Sequence, residues 1–364
     1  MIMLALLAGC GSTPSGSFVT YNAGLAVGFV PGSVERQNSV AQAIAGIDAD
    51  VICVQEVWLD EQVTAVTSAA SNTFPNTYFP AKQPEVLPEP ACPDGQLDTL
   101  LQCATDNCEG VCQDDLLNCI FDNCQFPFAL LPQECMRCTM ANVGGTIDDV
   151  VEACTTQTVG FAYGGSFGTG LLSRHPLRNV EEKVFESTTN RRAAIHAVVE
   201  MPKGDVDVYC THLTASFDTI PYPRPEGSWS EEQTTQIEEL RAWIDETAVN
   251  PVVALGDFNV GPSGDGLVAE EAANYGLLSD GYDVPFLDLV GDCTFCGSNP
   301  LVALGGDDQT SELIDHVLVK GWDEPTYAAE RVLDGDLEHP VCGTDITGAY
   351  SDHYGVRVSI NEND

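Results

Sequence analysis

The chain has 364 residues, 44% of them hydrophobic, enough for one large core or two domains. Asp and Glu number 55 against 14 Lys and Arg, a formal net charge of −41. Such a chain repels polyphosphate backbones and has few cations to neutralise them, which disfavours nucleic acid as a partner. Fifteen cysteines are too many for an ordinary cytosolic enzyme and favour an exported, oxidising setting.

In chain order, Met1 to Ala8 is apolar but too short to span a bilayer. It runs into Leu7-Ala8-Gly9-Cys10, a string like a bacterial lipobox, in which Cys10 is acylated after cleavage. The stretch lacks a basic n-region, so the true start is expected upstream. Residues 1–16 read as signal remnant and tether. A first strand closes on Thr20-Tyr21-Asn22. Ser33 to Ile47 reads as a helix, with Val40, Ile44 and Ile47 at helical spacing. Val51 to Val54 is a continuous apolar run, as in a strand buried on both faces, and Glu56 follows where it ends.

Nine of the fifteen cysteines lie between Cys92 and Cys154. A proline-rich entrance from Pro80 to Pro93 and a glycine return at Gly164-Gly165 mark residues 86–158 as an insertion. Cys103 to Cys108 and Cys119 to Cys124 repeat one pattern, each after a helix-like run, which predicts two short antiparallel helices clipped by disulfides. Zinc is the competing reading, because Cys135-x-x-Cys138 and Cys293-x-x-Cys296 have suitable local spacing; no histidine lies inside the insert. Nine is odd, so one of these cysteines is free or pairs outside the block, with Cys293, Cys296 and Cys342 as candidates.

Beyond the insert, Val206, Val208, Cys210 and His212 share one face of a strand. Ser230 with Gln233 reads as a capping box for a covering helix that carries Ile237, Leu240 and Ile244. Pro251 to Leu255 is apolar; Gly256 is expected to bend the chain, with Asp257 and Asn259 on one side. Leu313 to Val319 is a strand that embeds Asp315-His316, where a buried acid needs a cation or a hydrogen-bonding partner. His316 is expected to face away from Asp315. Tyr354 to Ile360 is a final strand with Asp352-His353 at its entrance. Strands alternating with helices, plus hairpin strands, predict an α/β fold, a four-layer α/β sandwich of two packed mixed β-sheets flanked by helices. A cysteine-rich, disulfide-linked helical insertion interrupts it.

Seven strings in this order carry a family resemblance: Thr20-Tyr21-Asn22, Gln55-Glu56-Val57-Trp58, Gly168 to Pro176, Thr211-His212-Leu213, Gly256-Asp257-Phe258-Asn259, Ile314-Asp315-His316 and Ser351-Asp352-His353. They resemble the endonuclease/exonuclease/phosphatase superfamily, whose members are similar to DNase I. The resemblance spans residues 17–361 and implies one catalytic domain. The QEVW string and Ser173-Arg174-His175-Pro176 resemble the neutral sphingomyelinase branch more than the nucleases.

The resemblance implies a metal-dependent phosphoric ester hydrolase. Glu56 is its principal Mg2+ ligand, beside Asn22, with Asp352 adding to the shell; Mn2+ or Ca2+ are alternatives. His353 is the general base, Asp315 holds its ring in the useful tautomer, and Asp257 is a rival base. His212 and Asn259 donate to phosphoryl oxygens. His175, His196, His316 and His339 take no catalytic role. The loop after His212 holds Phe217, Tyr222, Arg224 and Trp229. Arg224 is a candidate phosphate clamp, and Tyr222 and Trp229 are candidate faces for a quaternary ammonium. The reading is therefore an exported phosphodiesterase acting on a sphingomyelin-like phospholipid. It is a bacterial lipoprotein held through lipidated Cys10 at the outer membrane, periplasm or cell surface. An extracellular nuclease or a small-molecule phosphatase is the alternative, and a non-catalytic binding lipoprotein a further one. For the nuclease, Arg174, Arg178, Arg191, Arg192 and Arg224 offer a local basic patch against the global charge.

Overall fold

The computed structural model describes residues 15–361 apart from 94, 218–219 and 307–308. The lipobox string at Cys10 lies outside those residues. From the N-terminal side, β1 (Gly16–Asn22) leads through α1 (Ser33–Ala45) to β2 (Val51–Gln55), α2 (Asp60–Ala70) and β3 (Asn76–Tyr78). The short pair β4 (Val86–Leu87) and β5 (Thr158–Val159) then closes the foot of an excursion. That excursion holds four helices: α3 (Asp98–Cys108), α4 (Gln113–Ala129), α5 (Gln133–Ala141) and α6 (Ile147–Thr156). Next come β6 (Gly170–Ser173), β7 (Leu177–Phe185), β8 (Arg192–Met201), β9 (Gly204–His212), α7 (Trp229–Thr247), β10 (Val252–Asp257) and α8 (Ala272–Ser279). The chain ends through β11 (Phe295–Cys296), β12 (Ser311–Glu312), β13 (Asp315–Lys320), β14 (Thr326–Val332), the hairpin β15 (Asp336–Val341) and β16 (Thr344–Ala349), and β17 (Gly355–Asn361).

Two mixed sheets form the middle of the sandwich, ordered β14-β17-β1-β2-β6-β3 and β13-β10-β9-β8-β7. Their facing sides carry Phe18, Val51, Val356 and Val358 against Ile195, Val208, Leu255 and Val317, all fully buried. The outer side of the first sheet packs Val19, Ile52 and Val54 under Val40, Ile44 and Val66 from α1 and α2. The outer side of the second packs Tyr209 and Ala254 under Ile237, Leu240 and Ile244 of α7. Period-2 alternation feeds two different cores from each central strand, which is why β2 reads as unbroken apolar sequence.

The topology gathers one end of both sheets. β1 and β2 are parallel, as are β9 and β10, so Asn22, Glu56, His212 and Asp257 all lie at or just past carboxyl ends. β13 and β17 run antiparallel to these neighbours, which brings Asp315 and His353 to the same end from their amino sides.

A disulfide between Cys53 of β2 and Cys210 of β9 joins the two sheets through the core. Each of these cysteines stands two residues before Gln55 and His212, respectively. In the insertion, Cys103–Cys124 and Cys108–Cys119 tie α3 to α4 as a two-rung ladder. Here the cysteines lie inside the paired helices rather than after them. Two further helices follow, tied by Cys138–Cys154, and Cys92–Cys135 anchors the entrance. Cys112 pairs outside the block with Cys342, while Cys293 and Cys296 pair with each other. Both CxxC strings are thus spent on disulfides, which removes the zinc reading for them.

Two local expectations are corrected. The cap of α7 is Ser228, whose side chain accepts from the Glu231 amide, so the helix begins before Ser230. Gln233 instead donates to the Thr214 and Asn259 carbonyls. Gly256 does not bend the chain; β10 continues through it, and a Cβ there would sit 2.2 Å from the Thr211 carbonyl oxygen. The turn comes at Asn259, with φ 52°.

Because Cys53–Cys210 closes a sequence separation of 157, chain-entropy reasoning assigns it about 5 kcal/mol, against about 3 kcal/mol for Cys108–Cys119 with a separation of 11. We expect urea unfolding of the Cys53→Ala/Cys210→Ala protein to show the larger loss of the two double variants. Equal losses would mean that the inter-sheet bond adds no more than the bonds of the lobe.

Candidate active site

At the gathered sheet ends lies a cavity with about 1010 Å³ of empty space, open to solvent. Glu56, His212, Asp257, Asn259, Asp352 and His353 line its floor. Glu56 directly follows β2 with φ 56°, a left-handed conformation that turns its side chain off the strand course. Its Oε2 is buried and has no hydrogen-bond partner among the described residues. Burial, with Asp352 and Asp257 nearby, raises its pKa to about 7. An orphaned carboxylate oxygen at the meeting point of acids is a donor set that suits a hard divalent cation.

Asp257 is the hub. In register it stands opposite Asp315 on one side and His212 on the other. Asn22 Nδ2 donates to Asp257 Oδ2 at 2.9 Å, and the Asn259 amide donates to Oδ1 at 2.9 Å. Burial and then Asp315 raise the Asp257 carboxyl to about 7. His353 Nδ1 lies 2.8 Å from Asp315 Oδ2, and its Nε2 lies 4.0 Å from Asp257 Oδ2. Burial opposes a charge on His353, but Asp315, Asp352 and Asp257 together hold its pKa well above the ordinary range. His212 Nε2 stands 3.4 Å from Asp257 Oδ2; burial and the neighbouring Arg192 keep this ring neutral. Its Nδ1 is buried without a partner among the described residues.

Asn22 is fully buried and already engaged, since its Oδ1 accepts from the Gly24 amide at 3.0 Å. It braces Asp257 below the cavity floor. Asp352 accepts from Ser351 Oγ at 3.0 Å, and the buried Arg36 reinforces that corner by donating to the carbonyls of Gly24, Pro31 and Tyr350. Asn259 Nδ2 donates to the Leu213 carbonyl at 3.0 Å. His316 turns to the outer core, its Nε2 2.8 Å from the Val260 carbonyl.

Of the loop residues, Trp229 reaches the cavity wall, its Nε1 donating to the Ile220 carbonyl. Tyr222 and Arg224 do not join it. They line a separate depression, where Tyr222 donates to Glu232 and Arg224 pairs with Glu186 and the Ser187 carbonyl. The supposed basic patch is likewise dispersed: Arg174 pairs with Asp48, Arg178 with Glu200 and Asp205, and Arg191 lies over the Phe161 ring. Arg192 alone of the five turns into the cavity. It is buried with one guanidinium nitrogen unpartnered among the described residues, and burial lowers its pKa to about 10. The sequence raised Arg192 only as one of five arginines in a basic patch; its place at the start of β8 is what turns it into the cavity. Trp58, whose ring faces His212 at 6.2 Å, forms an apolar wall with Phe29, Phe217 and Met140.

The profile of the Endonuclease/Exonuclease/phosphatase family matches residues 19–353. Among solved structures, sphingomyelinase C from Streptomyces griseocarneus is similar with a TM-score of 0.55 at 17% identity, over 96% of this chain and 100% of that one. Beta toxin from Staphylococcus aureus, a structure with bound magnesium ions, gives 0.55 at 12% identity over 95% and 99%. TDP2 from D. rerio, in complex with a single-strand DNA product, gives 0.52 at 14% identity over 96% and 99%. Identities this low show a shared fold. A search of curated protein sequences finds no match.

In the metal-free protein we expect the His353 ring, followed by NMR against pH, to titrate above the ordinary histidine range and to fall in Asp315→Asn. A raised histidine contributes stability that is fully present below its unfolded value of about 6.5 and is lost as pH rises through the folded value. A His353 that titrates normally, or that ignores Asp315→Asn, would remove Asp315 as the group that holds its proton.

Proposed function

The chain belongs to the endonuclease/exonuclease/phosphatase family, and on that premise we propose that it is an exported, divalent-cation-dependent phosphodiesterase acting on a sphingomyelin-like phospholipid. The observation that carries the hydrolytic reading is the Glu56 carboxylate, with one buried oxygen that has no partner among the described residues, at a cavity floor shared with Asp257, Asp352 and His353. Glu56 and Asp352 would hold the cation, Mg2+ by analogy with the beta toxin structure, while Asn22 fixes Asp257. A cation bound there supplies charge neutralisation at the phosphoryl oxygens.

The residues divide the remaining work. Two groups are candidates for taking the proton of the attacking water. Placement supports Asp257, held by Asn22 and the Asn259 amide, because Asp315 beside Nδ1 of His353 favours the protonated ring. His353, oriented by Asp315, then presents a charged N–H to the phosphoryl group. Neutral His212 and cationic Arg192 add donors from the opposite wall. The apolar wall of Trp58, Phe29, Phe217, Trp229 and Met140 suits a lipid neighbour better than a nucleotide stack flanked by phosphates, and the net charge of −41 repels the latter.

Seven disulfides support export, and they use fourteen of the fifteen cysteines; the fifteenth is Cys10 of the lipobox string. No described helix is long and apolar enough to cross a membrane. Lipidation at Cys10 would supply the attachment.

Assays on sphingomyelin vesicles, plasmid DNA and p-nitrophenyl phosphate, each with Mg2+ and with chelator, test the reading. We expect Mg2+-dependent release of phosphocholine to exceed DNA nicking at every ionic strength. Plasmid nicking at low salt without phosphocholine release would establish the nuclease alternative.

Glu56→Ala should abolish turnover, and His212→Ala or His353→Ala should each lower it by about 10²- to 10⁴-fold with unchanged circular dichroism. Folded variants with near-normal turnover would overturn these roles.

Protons and cation compete at Glu56, whose buried carboxyl is raised to about 7 when metal-free. Calorimetric affinity for Mn2+ should therefore weaken as pH falls below 7, by up to about tenfold per unit for each proton displaced. A pH-independent affinity between 5 and 8 would place the cation elsewhere.

A further inference from the structure

The helical lobe contains an apolar slot that the catalytic chemistry does not use. The α3–α4 pair and the α5–α6 pair enclose about 660 Å³ of empty space, lined by Leu100, Leu117, Phe121, Phe128, Met140 and Val151 among others. Leu117, Phe121 and Val151 are only half-buried, so apolar helix faces that ordinarily close on each other stand open here. Covalent ties explain how the slot survives. Four disulfides, Cys92–Cys135, Cys103–Cys124, Cys108–Cys119 and Cys138–Cys154, hold the helices without requiring the gap to collapse.

The slot adjoins the catalytic cavity. Met140 lines both, and the same apolar cluster runs on to Phe29, Phe217 and Trp229 of the cavity wall. The slot is narrow and partly open to solvent, a shape that suits an extended chain better than a bulky ring system. Its lining is almost wholly hydrocarbon, with Thr139 as its one hydroxyl. The electrostatics narrow the occupant. Residues 92–154 hold eleven Asp and Glu and one cation, Arg137, which is paired with Glu85. A free fatty-acid anion is repelled there, and the tail of a neutral or zwitterionic amphiphile is not.

We propose that the lobe is a hydrocarbon-chain site, so that the substrate is an amphiphile whose tail lies between α3–α4 and α5–α6 while its phosphate ester faces Glu56. The second half of this rests on the phosphodiesterase reading; the tail site itself does not. Met140 marks the passage between the two halves.

The test uses the full chain in chelator, with the neutral dye N-phenyl-1-naphthylamine as reporter. Alkylphosphocholines with six to twelve carbons, kept below micelle formation, act as competitors. Each added methylene should strengthen competition by up to about fourfold, the equivalent of about 0.8 kcal/mol. Decanoate should compete more weakly than decylphosphocholine. Leu117→Asn, at a half-exposed position that tolerates a polar group, and Ala104→Phe, which fills the slot, should flatten the chain-length series. Both should leave Mg2+-dependent hydrolysis of bis(p-nitrophenyl) phosphate unchanged. Competition independent of chain length, or indifferent to both variants, overturns the tail site even if hydrolysis proceeds. A steep chain-length series in a protein that hydrolyses no phosphodiester supports the tail site and sinks the phosphodiesterase reading instead.

Discussion

Four carboxylates crowd one end of this sandwich, and two of them, Asp257 and Asp315, stand directly opposite each other on neighbouring strands. Like charges in that relation destabilise a sheet, and burial makes the repulsion worse. Much of the local architecture answers this constraint. His353 inserts between the two, Asn22 and the Asn259 amide donate to Asp257, and Arg36 and Arg192 approach from either flank. Even so, Glu56 keeps one oxygen without a partner among the described residues, and burial beside Asp352 raises its pKa. A fold that concentrates negative charge beyond what its own donors satisfy has the electrostatics that the proposed cation would balance.

The scaffold makes such a site tolerable. Asn22, Glu56, His212 and Asp257 come from two parallel strand pairs in two different sheets, and the Cys53–Cys210 bond ties those sheets together one alternation step below them. Relative sliding of the sheets would separate Glu56 from His212 and Asp257. The lobe is bound to the same body by Cys112–Cys342 and by its packing on Phe29, Phe217 and Trp229. It therefore forms one wall of the cavity rather than an appendage beyond it.

The strands and most of the cavity floor were legible because buried strands leave compact apolar runs and the polar residues at their ends stand out. Glu56, His212, Asp257 and His353 each follow or precede such a run, and strand alternation also placed His316 away from Asp315. What pairs through space was not legible. Cys53 and Cys210 sit 157 residues apart on inward faces of different sheets, and nothing local links them. Arg192 was one of five arginines raised as a patch, and only the register of β8 separates it from Arg191, which faces out over Phe161. The loop after His212 has no periodicity to fix directions, so Arg224 turned to Glu186, while Trp229, the first residue of α7, reached the cavity. At α7 the sequence pointed to Ser230 as the cap, and side-chain geometry places the cap two residues earlier, at Ser228.

The central claim is that the carboxylate cluster at the sheet ends holds one divalent cation at Glu56. Anomalous diffraction from Mn2+-soaked crystals tests it most directly. The predicted result is a single strong peak against Glu56 Oε2, within reach of Asp352, that vanishes in Glu56→Gln. A peak instead among Asp257, Asp315 and His353, whose donor atoms also converge, or no peak at the cavity floor, would contradict it.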